Sequence, residues 1–186
     1  MNESSGTLSE LYHVTPVENL EEILESGIQP QESHRNKLEA DLGAIAATNG
    51  IKFPIERQRC VFLYPTLSAA TEQLRFAQGE SPLFEREAML VVDGRQLERD
   101  LYVGDFDLIS DAIDLQHMDE PDEAISAASY EDALRRYASG LEVAPSFEAL
   151  PQVTSRYTTP EVVVEGSVGP EKIVEWRLLK TIRTGN

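Results

Sequence analysis

Leu11-Tyr12-His13-Val14-Thr15-Pro16-Val17-Glu18-Asn19-Leu20-Glu21-Glu22-Ile23-Leu24-Glu25-Ser26-Gly27-Ile28 is the stretch that decides how this 186-residue chain reads. Leu11 to Val14 reads as a short strand. Thr15 then fits a helix N-cap, Pro16 the first helical position and Glu18 the reciprocal partner of a capping box. Val17, Leu20, Ile23 and Leu24 recur at helical spacing, which sets an apolar stripe on one face and turns Glu18, Glu21, Glu22 and Glu25 to water. Gly27 supplies a left-handed stop, and Ile28 can pack back on the last turn. The pattern predicts a strand, a cap, a three-turn helix and a stop.

Outward from this block, Leu38 to Thr48 reads as a helix ended by Asn49-Gly50. Cys60-Val61-Phe62-Leu63-Tyr64 is an apolar run of strand length, stopped by Pro65, and Ser68 opens a helix to about Gln78 that Gly79 closes. Ala88 to Val92 is a buried strand closed by Asp93-Gly94, and Leu101-Tyr102-Val103 is expected to continue its sheet. Residues 104–128, acid-rich and short of large apolar side chains, read as a surface excursion. Glu131 to Ala138 is a helix stopped near Gly140, and 141–155 is loop-like. Pro160 to Glu165 is a strand ended by Gly166, and Lys172 to Leu179 is a second, with period-two alternation in its first half. Strands at both ends with helices early and midway predict an α+β fold rather than a repeating βαβ array. Its length suits one domain, 1–186, with a surface insert around 104–155.

Acids outnumber bases 33 to 16, a net charge of −17. They are dispersed rather than gathered in a tail, so the expectation is a solvated surface adapted to a salty cytoplasm, where a short Debye length screens self-repulsion. The reading is cytosolic: no stretch approaches the roughly 20 apolar residues of a membrane span, and Met1-Asn2-Glu3-Ser4-Ser5-Gly6 lacks the basic and apolar runs of a signal peptide. One cysteine, Cys60, with His13, His34 and His117 scattered, gives no metal-ligand spacing, so no metal is expected. Gly-x-Gly-x-x-Gly, Walker and Gly-x-Ser-x-Gly patterns are missing, which removes the usual dinucleotide, P-loop and serine-hydrolase readings.

Three segments line up: Tyr12-His13-Val14-Thr15 with its helix, Phe62-Leu63-Tyr64 with its helix, and Pro160-Glu161-Val162. Together they resemble the His-Tyr-Glu arrangement of the ADP-ribosyltransferase superfamily. The first block through Gly27-Ile28, and the tail block Glu161-Val162-Val163-Val164-Glu165-Gly166-Ser167-Val168 through Glu171-Lys172-Ile173, are similar to the DarT-type nucleic-acid ADP-ribosyltransferases. The stretch from about 100 to 155 adds nothing to the likeness. The resemblance implies two small β-sheets forming a central cleft with flanking helices, and NAD as substrate. It implies that His13 touches the adenine-side ribose, that Thr15 and nearby backbone groups hold cofactor, and that Tyr64 stacks beneath the nicotinamide. Glu161 would be the catalytic acid beside the nicotinamide ribose. A carboxylate there stabilises the positive charge that develops as nicotinamide departs, and can polarise a ribose hydroxyl or the incoming nucleophile.

Arg57 and Arg59, before the second strand, are the cations best placed for a pyrophosphate, which arginine binds bidentately. Arg35 with Lys37, after the first helix, is placed for the same role, and Arg156 with Tyr157, just upstream of Glu161, is a candidate to flank the acceptor site. Each residue also has a plainer account: a hydrogen-bonded structural histidine, a core tyrosine beside Phe62, one more surface acid, arginines balancing local acids. Thr159 stands where arginine-modifying members of the superfamily carry a second acid, which disfavours protein-arginine modification.

The expected function is therefore transfer of ADP-ribose from NAD to an acceptor, with a nucleic-acid base as a candidate acceptor, in a toxin-like or defence-like role. The alternative is an inactive domain of the same fold that binds a nucleotide or a protein partner. A 2′-phosphotransferase-type reading needs more basic residues than the chain offers. Glu161→Gln is expected to abolish transfer with the melting temperature nearly unchanged. Oligomeric state is left open.

Overall fold

A computed structural model describes residues 9–30, 36–71, 87–117 and 123–179. In chain order the elements are β1 (Glu10–Pro16), α1 (Leu20–Ser26), α2 (Asn36–Thr48), β2 (Cys60–Leu63), helical residues 67–71 (α3), β3 (Glu87–Asp93), β4 (Leu101–Asp105), α4 (Phe106–His117), α5 (Glu123–Gly140), β5 (Glu142–Ala144), α6 (Leu150–Thr154), β6 (Pro160–Glu165) and β7 (Ile173–Leu178). The fold is α+β, with two small antiparallel sheets in strand orders β1-β3-β7 and β2-β6-β4-β5.

Alternate residues of a strand point to opposite faces, and this alternation builds the main core. Leu11, Leu90 and Val92 from one sheet meet Leu63, Val103, Val162 and Val164 from the other. Leu20 and Ile23 of α1, with Leu150 and Val153 of α6, complete this cluster. The sheets are stitched where Tyr12 and Tyr64 exchange two backbone hydrogen bonds of 2.8 Å. Ile28 and Val168 exchange a second pair, of 2.8 and 2.9 Å. Gly27 serves that bridge: its φ is +82°, and a Cβ there would lie 2.2 Å from the Val168 carbonyl oxygen. A separate apolar layer joins α2, α4 and α5 through Leu38, Leu42, Ile109, Ala112, Leu134 and Tyr137.

Several local expectations are corrected. Thr15 is not the N-cap and Pro16 is not the first helical residue: both stay in β1, opposite Ala88 and Glu87. Pro16 caps a short 3-10 turn, Val17–Asn19, without a side-chain bond. Sheet pairing holds this backbone extended, so the buried Thr15 hydroxyl accepts instead from Asn19 Nδ2 at 3.5 Å. The stripe of α1 is narrower than its spacing suggests, since Leu20 and Ile23 are buried while Val17 and Leu24 are exposed. Leu101–Val103 joins β6 and β5 rather than β3. Residues 104–128 are no mere excursion, because Phe106, Ile109 and Ala112 are buried. The stretch 141–155 holds β5 and α6 rather than loop. The second helix begins at residue 67, and Thr66 accepts from the Ala69 amide at 3.1 Å. Its expected end, with Gly79, lies outside the described residues.

Candidate active site

β6 enters the sheet with Glu161 on the face away from the main core, because Val162 and Val164 take the inner face. Glu161 lies opposite Gly104 on β4. A Cβ at Gly104 would sit 2.6 Å from the Tyr137 ring, so the missing side chain is what lets α5 lay this phenol over the strand. Arg57 belongs to the 3-10 turn Arg57–Arg59 immediately before β2, and β2 pairs with β6, which brings the guanidinium alongside.

The result is a buried polar cluster. Arg57 Nη1 donates to Glu161 Oε1 at 2.6 Å, and Arg57 Nε donates to Glu39 Oε1 of α2 at 3.2 Å. Tyr137 Oη donates to the same Glu161 Oε1 at 2.6 Å and accepts from Arg57 Nη1. The guanidinium carbon stands 4.4 Å from the Phe62 ring centroid and 4.9 Å from that of Tyr137, within the range of cation–π attraction. Glu161 is 1% exposed and Arg57 7%. Burial opposes the arginine's charge, but the carboxylates of Glu161 and Glu39 prevail and hold its pKa well above the usual value. Burial pushes the Tyr137 phenol well up, and the Glu161 charge adds to this, so the phenol stays a neutral donor. Both described bonds to the Glu161 carboxylate converge on Oε1, so Oε2 takes no part in them.

His13 projects from β1 with Nδ1 2.9 Å from the Phe62 carbonyl oxygen. A carbonyl only accepts, so Nδ1 carries the hydrogen and Nε2 is left as an acceptor in the neutral ring. Burial lowers the imidazole's pKa, which the Phe62 hydrogen bond partly offsets. Phe62 therefore connects the two groups, its carbonyl held by His13 and its ring beneath Arg57. Tyr64 lies where the sheets meet; its ring is buried with Ala69 and Ala70 and stands edge-on to Phe106 at 6.1 Å. Arg59 faces solvent and pairs with Glu56 at 3.0 Å. Lys37 pairs with Asp41, and Arg156 with Glu142; Arg35 lies outside the described residues.

Of the sequence candidates, Arg57 and Glu161 are brought into direct contact. Glu39 and Tyr137 were not foreseen: each sits in a helix with no motif around it, and only the gap at Gly104 hints at a large neighbour. Burial pushes the Cys60 thiol up to about 11, which makes it a poor nucleophile. Among the described residues no group of three His, Cys, Asp or Glu could hold a metal ion, and no helix is long and apolar enough to cross a membrane.

No protein-family model and no curated protein matches the chain. Among solved structures it is similar to Thermosipho africanus DarTG in complex with ADP-ribose, at 15% identity and a TM-score of 0.41, over 93% of this chain and 44% of that one. It is also similar to EcPltA, at 12% identity and a TM-score of 0.38, over 93% of this chain and 76% of that one. The chain thus spans less than half the length of the DarTG chain.

Proposed function

We propose that this protein transfers ADP-ribose from NAD to an acceptor of the nucleic-acid-base class, with Glu161 as the catalytic carboxylate. The observation that carries this reading is the buried contact of Glu161 with Arg57 and Tyr137 at the mouth of β6, reached from the sheet junction through Phe62. Ion pairs buried this deeply are costly to assemble and gain little net stability, and they cluster where charge serves chemistry.

In the proposed reaction the bond between the nicotinamide nitrogen and the ribose carbon breaks. Nicotinamide leaves with the electron pair, and the positive charge left on the ribose is stabilised by the Glu161 carboxylate. Arg57 and Tyr137 hold Oε1, and Oε2 meets a ribose hydroxyl. The acceptor nitrogen then bonds to the ribose carbon and gives up its proton to the Glu161 carboxylate. Nε2 of the neutral His13 accepts from a hydroxyl of the adenine-side ribose. Net charge supplies no general hold on a polyanion, so the acceptor is recognised through base edges.

A second reading has its own support. Glu161 at 1% and Tyr64 at 4% exposure suit a domain that binds a nucleotide or partner without turnover. Incubation with NAD and single- or double-stranded oligonucleotides in concentrated KCl, followed by intact mass, separates the two. A gain of one ADP-ribose unit, lost in Glu161→Gln, is the result expected. Saturation transfer from protein to NAD without any mass gain supports the silent domain, and neither signal overturns both.

A further inference from the structure

Strand β7 lies at one side of its sheet, and among the described residues no strand pairs with its outer edge. Three of its residues rank with the exposed large apolar side chains of the chain: Val174 at 55%, Trp176 at 45% and Leu178 at 48%. An open edge lined this way is a template for another strand.

The register shows which groups the edge offers. The Leu179 amide donates to the Glu87 carbonyl at 2.9 Å. Hydrogen-bonded and non-hydrogen-bonded pairs alternate along an antiparallel ladder, so Arg177 and Glu175 also turn their backbone groups inward to β3. Trp176 and Leu178 therefore point their N–H and C=O groups outward. Their side chains share a face with Leu90 and Ala88, their partners on β3. Val174 falls at a bulge in this pairing. Glu175 and Arg177 lie on the opposite face, 3.5 Å apart.

We propose that β7 is the interface of a two-fold dimer of this chain, in which two copies pair these strands antiparallel about Trp176. The choice of a second copy comes from the charge order. Read outward from Trp176, the strand carries an acid on one side and a base on the other. Antiparallel self-pairing about that residue sets Glu175 of each copy opposite Arg177 of the other, and Val174 opposite Leu178. Charged residues ordinarily blunt a sheet edge; here they oppose each other only when the partner is the same strand reversed. The outward backbone groups of Trp176 then bond across the axis to the same residue of the second copy. The interface is isologous and joins the two three-stranded sheets into one.

Net charge of −17 on each copy opposes the association, and molar salt shortens that repulsion to about 3 Å. Sedimentation velocity of the full chain at micromolar concentration should give a species of twice 20.7 kDa, favoured by KCl. Trp176 is the sole tryptophan, so its emission should shift to the blue as concentration rises. Arg177→Glu alone sets like charges opposite each other twice and is expected to weaken the dimer roughly tenfold or more. Glu175→Arg with Arg177→Glu restores complementarity and should restore the dimer, with each variant's folding checked by circular dichroism. A chain that stays monomeric in molar KCl overturns the proposal. So does a dimer indifferent to Arg177→Glu, or one that the double exchange fails to rescue.

Discussion

Glu161 accepts from Arg57 and from Tyr137 at 2.6 Å each, and removing its charge takes from the buried guanidinium the nearer of its two carboxylate partners. This corrects the expectation that Glu161→Gln is thermally silent. The amide leaves Arg57 facing only Glu39, and breaking a buried pair costs about 3 kcal/mol at the low end of its range. Urea unfolding should show that loss, whereas Arg57→Met with Glu161→Leu and Glu39→Gln, which removes all three charges together, should recover most of it by replacing the ionic cluster with apolar and neutral bulk. Recovery of stability without the proposed ADP-ribose transfer would separate holding the fold from the proposed chemistry. His13 offers a pH test. Its folded pKa lies below the ordinary 6.5, so between those values the unfolded chain binds more protons. Stability contributed by the neutral ring is complete above pH 6.5 and declines as acid is added through that window. His13→Asn keeps a donor for the Phe62 carbonyl and should flatten this part of the melting-temperature profile against pH. An unchanged slope would place the acid sensitivity elsewhere.

Elements position these groups through two glycines with different reasons to be small. Gly104 leaves the space into which Tyr137 of α5 descends onto β6. Gly104→Ala should push that ring away and disturb the Glu161 cluster without substituting any of its members. The expected loss is about 1–3 kcal/mol, typical of overpacking, read by urea unfolding. At Gly27 both the positive φ and the Val168 carbonyl forbid a side chain, so the end of α1 is locked to the segment between β6 and β7. The element most legible in the sequence, the helix after β1, formed only in part: α1 runs from Leu20 to Ser26 and buries Leu20 and Ile23, and its capping box did not form. Thr15 and Pro16 had a stronger partner in β3, and a sheet ladder outweighs a single cap.

For the molecule as a whole the dominant quantity is its charge. Thirty-three acids on this chain repel one another at low ionic strength, and among the described residues Glu39, Asp41, Glu56, Asp93, Asp132, Glu142, Glu161 and Glu175 pair with arginine or lysine, while the net charge stays at −17. Raising KCl from dilute to molar should therefore raise the melting temperature, a trend opposite to that of a fold held by surface ion pairs. A fall would place the surface pairs above the general repulsion.

The sequence by itself determined the strands β1, β2, β3, β4, β6 and β7, the helix α2 and the stops at Gly27, Gly50 and Gly166, because these follow from local periodicity and from backbone freedom at single positions; α4, β5 and α6 were not legible in it. It also singled out Arg57 and Glu161, though not that they touch. Which sheet each strand joins, and the meeting of Glu39, Arg57, Tyr137 and Glu161, were decided by tertiary structure. Pairing between distant strands and the packing of α2 and α5 over β6 depend on contacts far apart in the chain, 104 residues for Arg57 and Glu161, and no local pattern encodes which distant surface a given face will find.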